Sequence, residues 1–108
     1  MVIGSQFIKS VYTGIIEKNA RILEPTEENG WEKRHELDIY LPELHLGIEF
    51  NGDYFHDYEK FPEVKKNDDF KKIACESQGI KLITVWEHEW DDSRISIENS
   101  LKQEFQNA

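Results

Sequence analysis

A chain of 108 residues has room for one domain, residues 1–108, with one modest hydrophobic core, and none for a second full domain. Its 38% apolar and 32% charged residues are the balance expected of a globular protein that folds in water rather than of a disordered or membrane one. The net charge of −9 excludes a general polyanion binder, because non-specific affinity for phosphates comes from lysine and arginine.

No apolar run approaches the ~20 residues of a bilayer span, and the opening MVIGSQFIKS lacks the apolar centre of a secretory signal. A cytoplasmic protein without membrane contact is therefore expected. Cys75 is the sole cysteine, so no internal disulfide is possible, and its helical setting suits a packed thiol. The cations are unevenly spread, with Lys60, Lys65, Lys66, Lys71 and Lys72 in one short stretch, which would give an acidic protein one basic face.

In chain order, Phe7, Ile8 and Val11 predict a short helix from Gln6 to Tyr12. YTGIIEKNARIL contains a strand, and the polar EPTEENGWEKR that follows, with Pro25 and Gly30, reads as a loop. In HELDIYLPELHLGIEFNG, Leu37, Ile39 and Leu41 alternate with polar neighbours, and Leu46, Ile48 and Phe50 do the same. Pro42 ends the first run, so a hairpin centred on residues 43 and 44 is the economical link; Glu-Leu is a poor two-residue turn, which leaves a wider loop open. Phe70, Ile73, Ala74 and Ser77 then mark the inner stripe of a helix that Gly79 stops. IKLITVW has the character of a strand covered on both faces, and Asp92 or Ser93 can cap a last helix carrying Ile97, Leu101 and Phe105. The order is αβββαβα, an α/β domain.

Such a hairpin sets Asp38 directly across from Glu49, with both carboxylates on one face. Opposed like charges are unfavourable and ask for a cation, for which a hard ion such as Mg²⁺ is suited. The alternative is a solvated outer face on which Asp38, Glu49 and His45 meet only water. Next comes NGDYFHD, where Asn51-Gly52 breaks the strand and delivers Asp53, His56 and Asp57 near its end. A histidine beside carboxylates can take a proton from water at neutral pH; His56 is otherwise an ordinary loop or core histidine. On the following helix Asp69 borders the apolar stripe and can lean toward the sheet, with Asp68 as its rival, and the lysines either contact phosphates or form a solvated face.

Other chemistries have no support. His35, His45, His56 and His88 lack zinc-site spacing, and there is no GxGxxG, Walker loop or GxSxG elbow. Trp86, Glu87, Glu89 and Trp90, grouped at the end of the last strand, read as packing and helix approach.

The run ELDIYLPELHLGIEFNGDYFHD, followed by a Lys-rich helix with Cys75 and then GIKLITVWEHEW, resembles the very-short-patch-repair endonuclease branch of the PD-(D/E)XK superfamily. Within that branch it is most similar to the phage-type homing endonucleases described by the pattern EDxHD. The resemblance spans about residues 34 to 101. It implies a restriction-endonuclease-like core, a mixed sheet flanked by helices, and hydrolysis of double-stranded DNA with Mg²⁺, or Mn²⁺ as a substitute. Asp38 takes the seat of the second-strand aspartate, and Glu49 falls at or beside the variable position, which Phe50 also claims. His56 becomes the general acid or base. The last aspartate matches Asp68 or Asp69, with Asp57 a competitor, and Asp69 is preferred. Lys65, Lys66, Lys72 and Asn51 are then the DNA contacts, while target choice falls to an attached DNA-binding domain, a homodimer partner or a short loop.

Two departures stand out. The usual Glu-x-Lys is here Glu49-Phe50-Asn51, so the ordinary lysine is missing, a change the histidine branch tolerates. Relatives carry a glutamate on the first helix, where this chain has Gln6: either that helix is truncated or one ligand is lost, and Glu17 substitutes only if the first elements align differently. Two other functional classes follow, a catalytically inactive nuclease-fold binding module and an acidic protein-binding domain that imitates DNA.

Overall fold

A computed structural model of the chain describes residues 3–23, 36–54 and 57–106. Its elements are α1 (Ile3–Val11), β1 (Glu17–Ala20), β2 (Leu37–Leu41), β3 (Leu46–Asn51), α2 (Pro62–Ser77), β4 (Lys81–Trp86) and α3 (Glu87–Gln106). This is the αβββαβα order, although α1 begins earlier than Gln6. The polar loop with Pro25 and Gly30 lies outside the described residues.

The hairpin forms where alternation and Pro42 place it. Pro42 opens a single 3-10 turn, Pro42–Leu44, which closes at His45 in the left-handed region (φ 49°, ψ 46°) with its N–H on the Pro42 carbonyl. The link is therefore the wider of the two expected forms. Ile39 pairs with Ile48, Tyr40 with Gly47 and Leu41 with Leu46, the register of a hairpin centred on residues 43 and 44. β1 adds antiparallel to β2, while β4 runs parallel to β3, giving a mixed sheet in the order β1-β2-β3-β4. A parallel pair needs a long crossover, and α2 supplies it.

Helices cover both sheet faces. On one, Ile39, Leu41, Ile48, Phe50 and Val85 pack against Phe7 and Ile8 of α1 and Trp90 and Leu101 of α3. Trp90 stands edge-on to Phe7 and Phe50, with ring centroids 6.1 and 6.4 Å away. On the other, Cys75 of α2 packs with Leu23, Leu37 and Ile80. Cys75 is thus the packed thiol that its position suggests, and burial pushes its pKa up to about 11.

α2 stops as its sequence dictates: Gly79 takes a positive φ of 72°, its N–H reaches the Glu76 carbonyl at 3.2 Å, and that of Ile80 reaches Cys75 at 2.8 Å, a Schellman ending. Its inner stripe matches the expected one only in part: Ala74 packs on the core and Phe70 is half-buried. Ile73 is 60% exposed and Ser77 is exposed, while Asp68, Lys71 and Cys75, at i, i+3 and i+7, turn inward. The reason lies in the sheet, which presents buried polar Glu49 and Asn51 to this helix, so only the Cys75 end meets an apolar floor.

β4 is an edge strand, with Ile83 and Val85 on the α3 side. α3 begins directly after it at Glu87, earlier than Asp92 or Ser93, because the turn carrying Trp90 is already helical. Ser93 breaks the helix (φ −135°, ψ 37°), so the segment bearing Ile97, Leu101 and Phe105 does begin there. Among the described residues no helix is long and apolar enough to cross a membrane.

Ile48 is fully buried in a central strand, whereas Ile95 is 76% exposed. Urea unfolding should show Ile48→Ala destabilising by about 2–5 kcal/mol, and Ile95→Ala by no more than about 0.5 kcal/mol.

Candidate functional site

Alternation along β3 sends Ile48 and Phe50 to one core and Gly47, Glu49 and Asn51 toward α2. Glu49 and Asn51 are only 5% and 6% exposed, the buried polar side chains of the described residues. Continuing the hairpin register by one step sets Asp38 opposite Glu49, and the Phe50 N–H donates to Asp38 Oδ2 at 2.8 Å. The two carboxyl groups are close enough that Asp38 helps to raise the Glu49 pKa. From α2, Lys71 Nζ donates to Glu49 Oε1 at 2.8 Å, with side chains 20% and 7% exposed. The expected face of a solvated sheet is therefore replaced by a roofed one.

Burial, then the neighbouring Asp38 carboxyl, pushes the Glu49 pKa up to about 8, and Lys71 opposes the shift without cancelling it. Without another cation, the carboxyl pair retains a proton at neutral pH.

Around Glu49 is a small polar cavity with about 50 Å³ of space for solvent, walled by Asn51 and Tyr58, by Asp68, Lys71 and Lys72 of α2, and by Leu82, Thr84 and Trp86 of β4. That holds a few waters and no nucleotide, so a larger substrate would present only its reacting group there. Tyr58 donates to Asp68 Oδ2 at 2.7 Å and stands edge-on to Trp86, with centroids 5.9 Å apart. Burial and the Asp68 charge raise the Tyr58 pKa, keeping its hydroxyl a donor.

Of the residues singled out in the sequence, Asp38 and Glu49 come together, and Asn51 and Lys72 join Glu49 at the cavity. Asp69 does not: it is half exposed and bonded to Lys65 Nζ at 2.8 Å, which holds its carboxyl below the usual range. Asp68 takes the inward position instead. Lys65 is thereby occupied on the surface, and Lys66 lies over the Phe70 ring, 5.7 Å from its centroid. Asp57 builds the next turn by accepting from the Glu59 and Lys60 N–H groups. His45 sits in the hairpin turn, at the other end of β3 from Asn51. Gln6 and Glu17 are exposed on α1 and β1. His56 and His35 lie outside the described residues.

Lys71, Tyr58, Thr84 and Trp86 were not legible as site residues. Lys71 had one usable signal, since Asp68, Lys71 and Cys75 share a helical face that the apolar Cys75 turns inward.

Two hard carboxylates suit Mg²⁺, which keeps several waters and often takes only one or two protein carboxylates, substrate phosphate completing its shell. Among the described residues no group of three or more His, Cys, Asp or Glu side chains is placed to hold a metal. Of the carboxylates singled out in the sequence, Asp38 and Glu49 are the two brought together. The chain matches no protein-family model, no curated protein and no solved structure.

Because the Glu49 pKa is raised on folding to about 8, the proton it binds stabilises the fold fully below its unfolded value, and that stabilisation is lost as pH rises through about 8. In EDTA, urea midpoints should fall between pH 5 and pH 9, and Glu49→Gln should flatten that slope. An unchanged slope in the variant would assign it to other groups.

Proposed function

We propose that this chain is the catalytic domain of a metal-dependent endonuclease acting on double-stranded DNA, with a restriction-endonuclease-like core of the very-short-patch-repair, EDxHD homing type. The observation that carries the reading is the Asp38–Glu49 pair beneath α2, with Lys71 on Glu49, beside Asn51 and Lys72. This cavity faces the carboxyl end of the parallel β3–β4 pair, where α/β sheets usually bind ligands.

In this reading Asp38 and Glu49 hold Mg²⁺, with Mn²⁺ as a substitute. When bound, the cation supplies electrostatic stabilisation of charge developing on the phosphate. Asp38 is held in place by the Phe50 N–H, and Lys71 orients Glu49 while offering a cation to a phosphate oxygen. Lys71 thus takes up, from α2, the position left vacant by the lysine missing from Glu49-Phe50-Asn51. Asn51 and Lys72 contact phosphate from the cavity rim, and Lys65 and Lys66, nearer the start of α2, reach phosphate only by leaving Asp69 and the Phe70 ring. His56 exchanges the proton of the attacking water or leaving oxygen. Asp69, in its surface pair, has no part in the chemistry, and Asp68 holds Tyr58. With a net charge of −9, DNA affinity depends on the bound cation and on a homodimer partner or an attached DNA-binding domain.

A second reading, an inactive nuclease-fold module, is favoured by the exposed Gln6 where relatives carry a glutamate, and by a donor set of two carboxylates.

Nicking of supercoiled plasmid separates the two. The nuclease reading expects cutting with Mg²⁺ or Mn²⁺ and none with EDTA, abolished in folded Asp38→Ala and His56→Ala. Lys71→Met should slow it by about 10²–10³-fold, and Asp69→Asn should leave it unchanged. Intact plasmid with both metals would leave the inactive module.

A further inference from the structure

The far edge of the sheet carries a groove that the proposed chemistry does not use. β4 is the last strand in the order β1-β2-β3-β4, so among the described residues one of its sides has no strand beside it. Which groups that side presents follows from the parallel register. Lys81 pairs with Leu46, and its N–H donates at 2.9 Å to the carbonyl of His45, one residue earlier. In a parallel ladder alternate residues bond to the same neighbour. Lys81, Ile83 and Val85 are therefore bonded to β3, and the N–H and C=O groups of Leu82 and Thr84 point away from it. The Trp86 N–H points the same way, and Glu89 Oε1 meets it at 3.2 Å, supplying the acceptor that a neighbouring strand would.

Beside this edge, β4 and α3 enclose a groove of about 230 Å³, several times the roughly 50 Å³ of the Glu49 cavity and large enough for the side chains of a partner. Ile83 and Val85 of the strand and Ile97 and Leu101 of the helix give it an apolar wall. Thr84 lies between Ile83 and Val85 and faces the Glu49 cavity, yet it lines this groove too. Side chains alternate along a strand, so three consecutive residues share one wall only where the backbone edge is part of it. Two carboxylates complete the lining, Glu89 and Glu104, and no cation does. Lys81 Nζ matches Glu104 at 2.7 Å, whereas among the described residues no lysine or arginine pairs with Glu89.

We propose that the β4–α3 groove binds an extended, cationic segment of another protein, which adds to β4 as a fifth strand. Its backbone bonds to Leu82 and Thr84, alternate apolar side chains fill the groove, and a lysine or arginine meets Glu89. Charge selects this occupant. α3 carries six carboxylates against Arg94 and Lys102, so an acidic segment is repelled, and a second copy of the chain would bring its own net charge of −9. The inference does not rest on the nuclease reading. Where that reading holds, a basic chain that itself grips DNA is the kind of partner an acidic catalytic domain requires.

The test is a titration of the isotope-labelled full chain with a capped synthetic peptide, Lys-Thr-Val-Thr-Val-Thr-Lys, followed by amide spectra at low salt. The Leu82 and Thr84 amides should shift saturably together with those of Ile97 and Ser100, and hydrogen exchange at Leu82 and Thr84 should slow. Glu89→Gln, whose side-chain carbonyl can still accept from Trp86, should weaken binding by about two- to fivefold, the range of one exposed ion pair. Thr84→Pro removes an outward N–H and no bond to β3, and should abolish binding. Ser100→Arg, at an exposed helix position lining the groove, should do the same and decides the matter if the proline variant does not fold. Absence of saturable shifts at Leu82 and Thr84, or equal binding of the peptide with glutamate in place of lysine, would overturn the proposal. So would a wild-type dimer that Ser100→Arg makes monomeric, since the groove would then hold a second copy. An intact plasmid in the cleavage assay would sink the nuclease reading alone and leave the titration to decide the groove.

Discussion

The candidate site depends on one constraint, the pairing of two carboxyl groups on a sheet face that a helix covers. Carboxylates at contact range repel by on the order of 4 kcal/mol in a protein's effective dielectric. In open solvent the pair would separate and hydrate, but the hairpin, continued one step past Ile39–Ile48, brings Asp38 across from Glu49, and α2 roofs Glu49, leaving only a small cavity. Lys71 offsets part of the repulsion, and a retained proton offsets the rest, which is why Glu49 titrates near 8. In the proposed reading a divalent cation takes the place of that proton.

The fold creates this setting by dividing α2 in two. Near its end, Cys75 packs on Leu37 and Ile80 and a Schellman turn returns the chain into β4. One and two turns earlier, the same face carries Lys71 and Asp68, over Glu49, Asn51 and Thr84. The apolar half holds the helix down, and the polar half encloses a small wet cavity at the carboxyl edge of the parallel strands. The opposite face, closed by Trp90, Phe7 and Leu101, acts as the foundation.

Much of this could be read from the residues. Alternation over Ile39–Leu41 and Leu46–Phe50, with Pro42 between the two runs, fixes the hairpin register, because a shift of one residue would turn those apolar side chains outward, whereas Leu37 leaves the pattern and packs on the α2 side. Gly79 marks the end of α2 since a positive φ is needed there. What stayed hidden has a common cause. Periodicity finds the inward face of a helix only when the floor beneath is apolar, and here the floor is partly Glu49 and Asn51. Of Phe70, Ile73, Ala74 and Ser77, only Ala74 packs on the core with Cys75 and Phe70 is half-buried, while Ile73 and Ser77 face outward; Asp69 looked closer to the sheet than Asp68, and Lys71 passed as one lysine among several. The start of α3 was missed because Glu87 to Trp90 looks like the ragged end of a strand. The contact between Asp53 and His88 joins residues far apart in the chain, and depends on a parallel pairing that no local pattern encodes.

Cation binding to the Asp38–Glu49 pair tests the account most directly. Calorimetric titration of the metal-free protein with Mn²⁺ should show one site per chain, lost in Asp38→Asn and in Glu49→Gln and kept in Asp69→Asn. No binding by folded wild-type protein, or a site that survives both carboxylate substitutions, would contradict the claim that this pair is built to hold a cation.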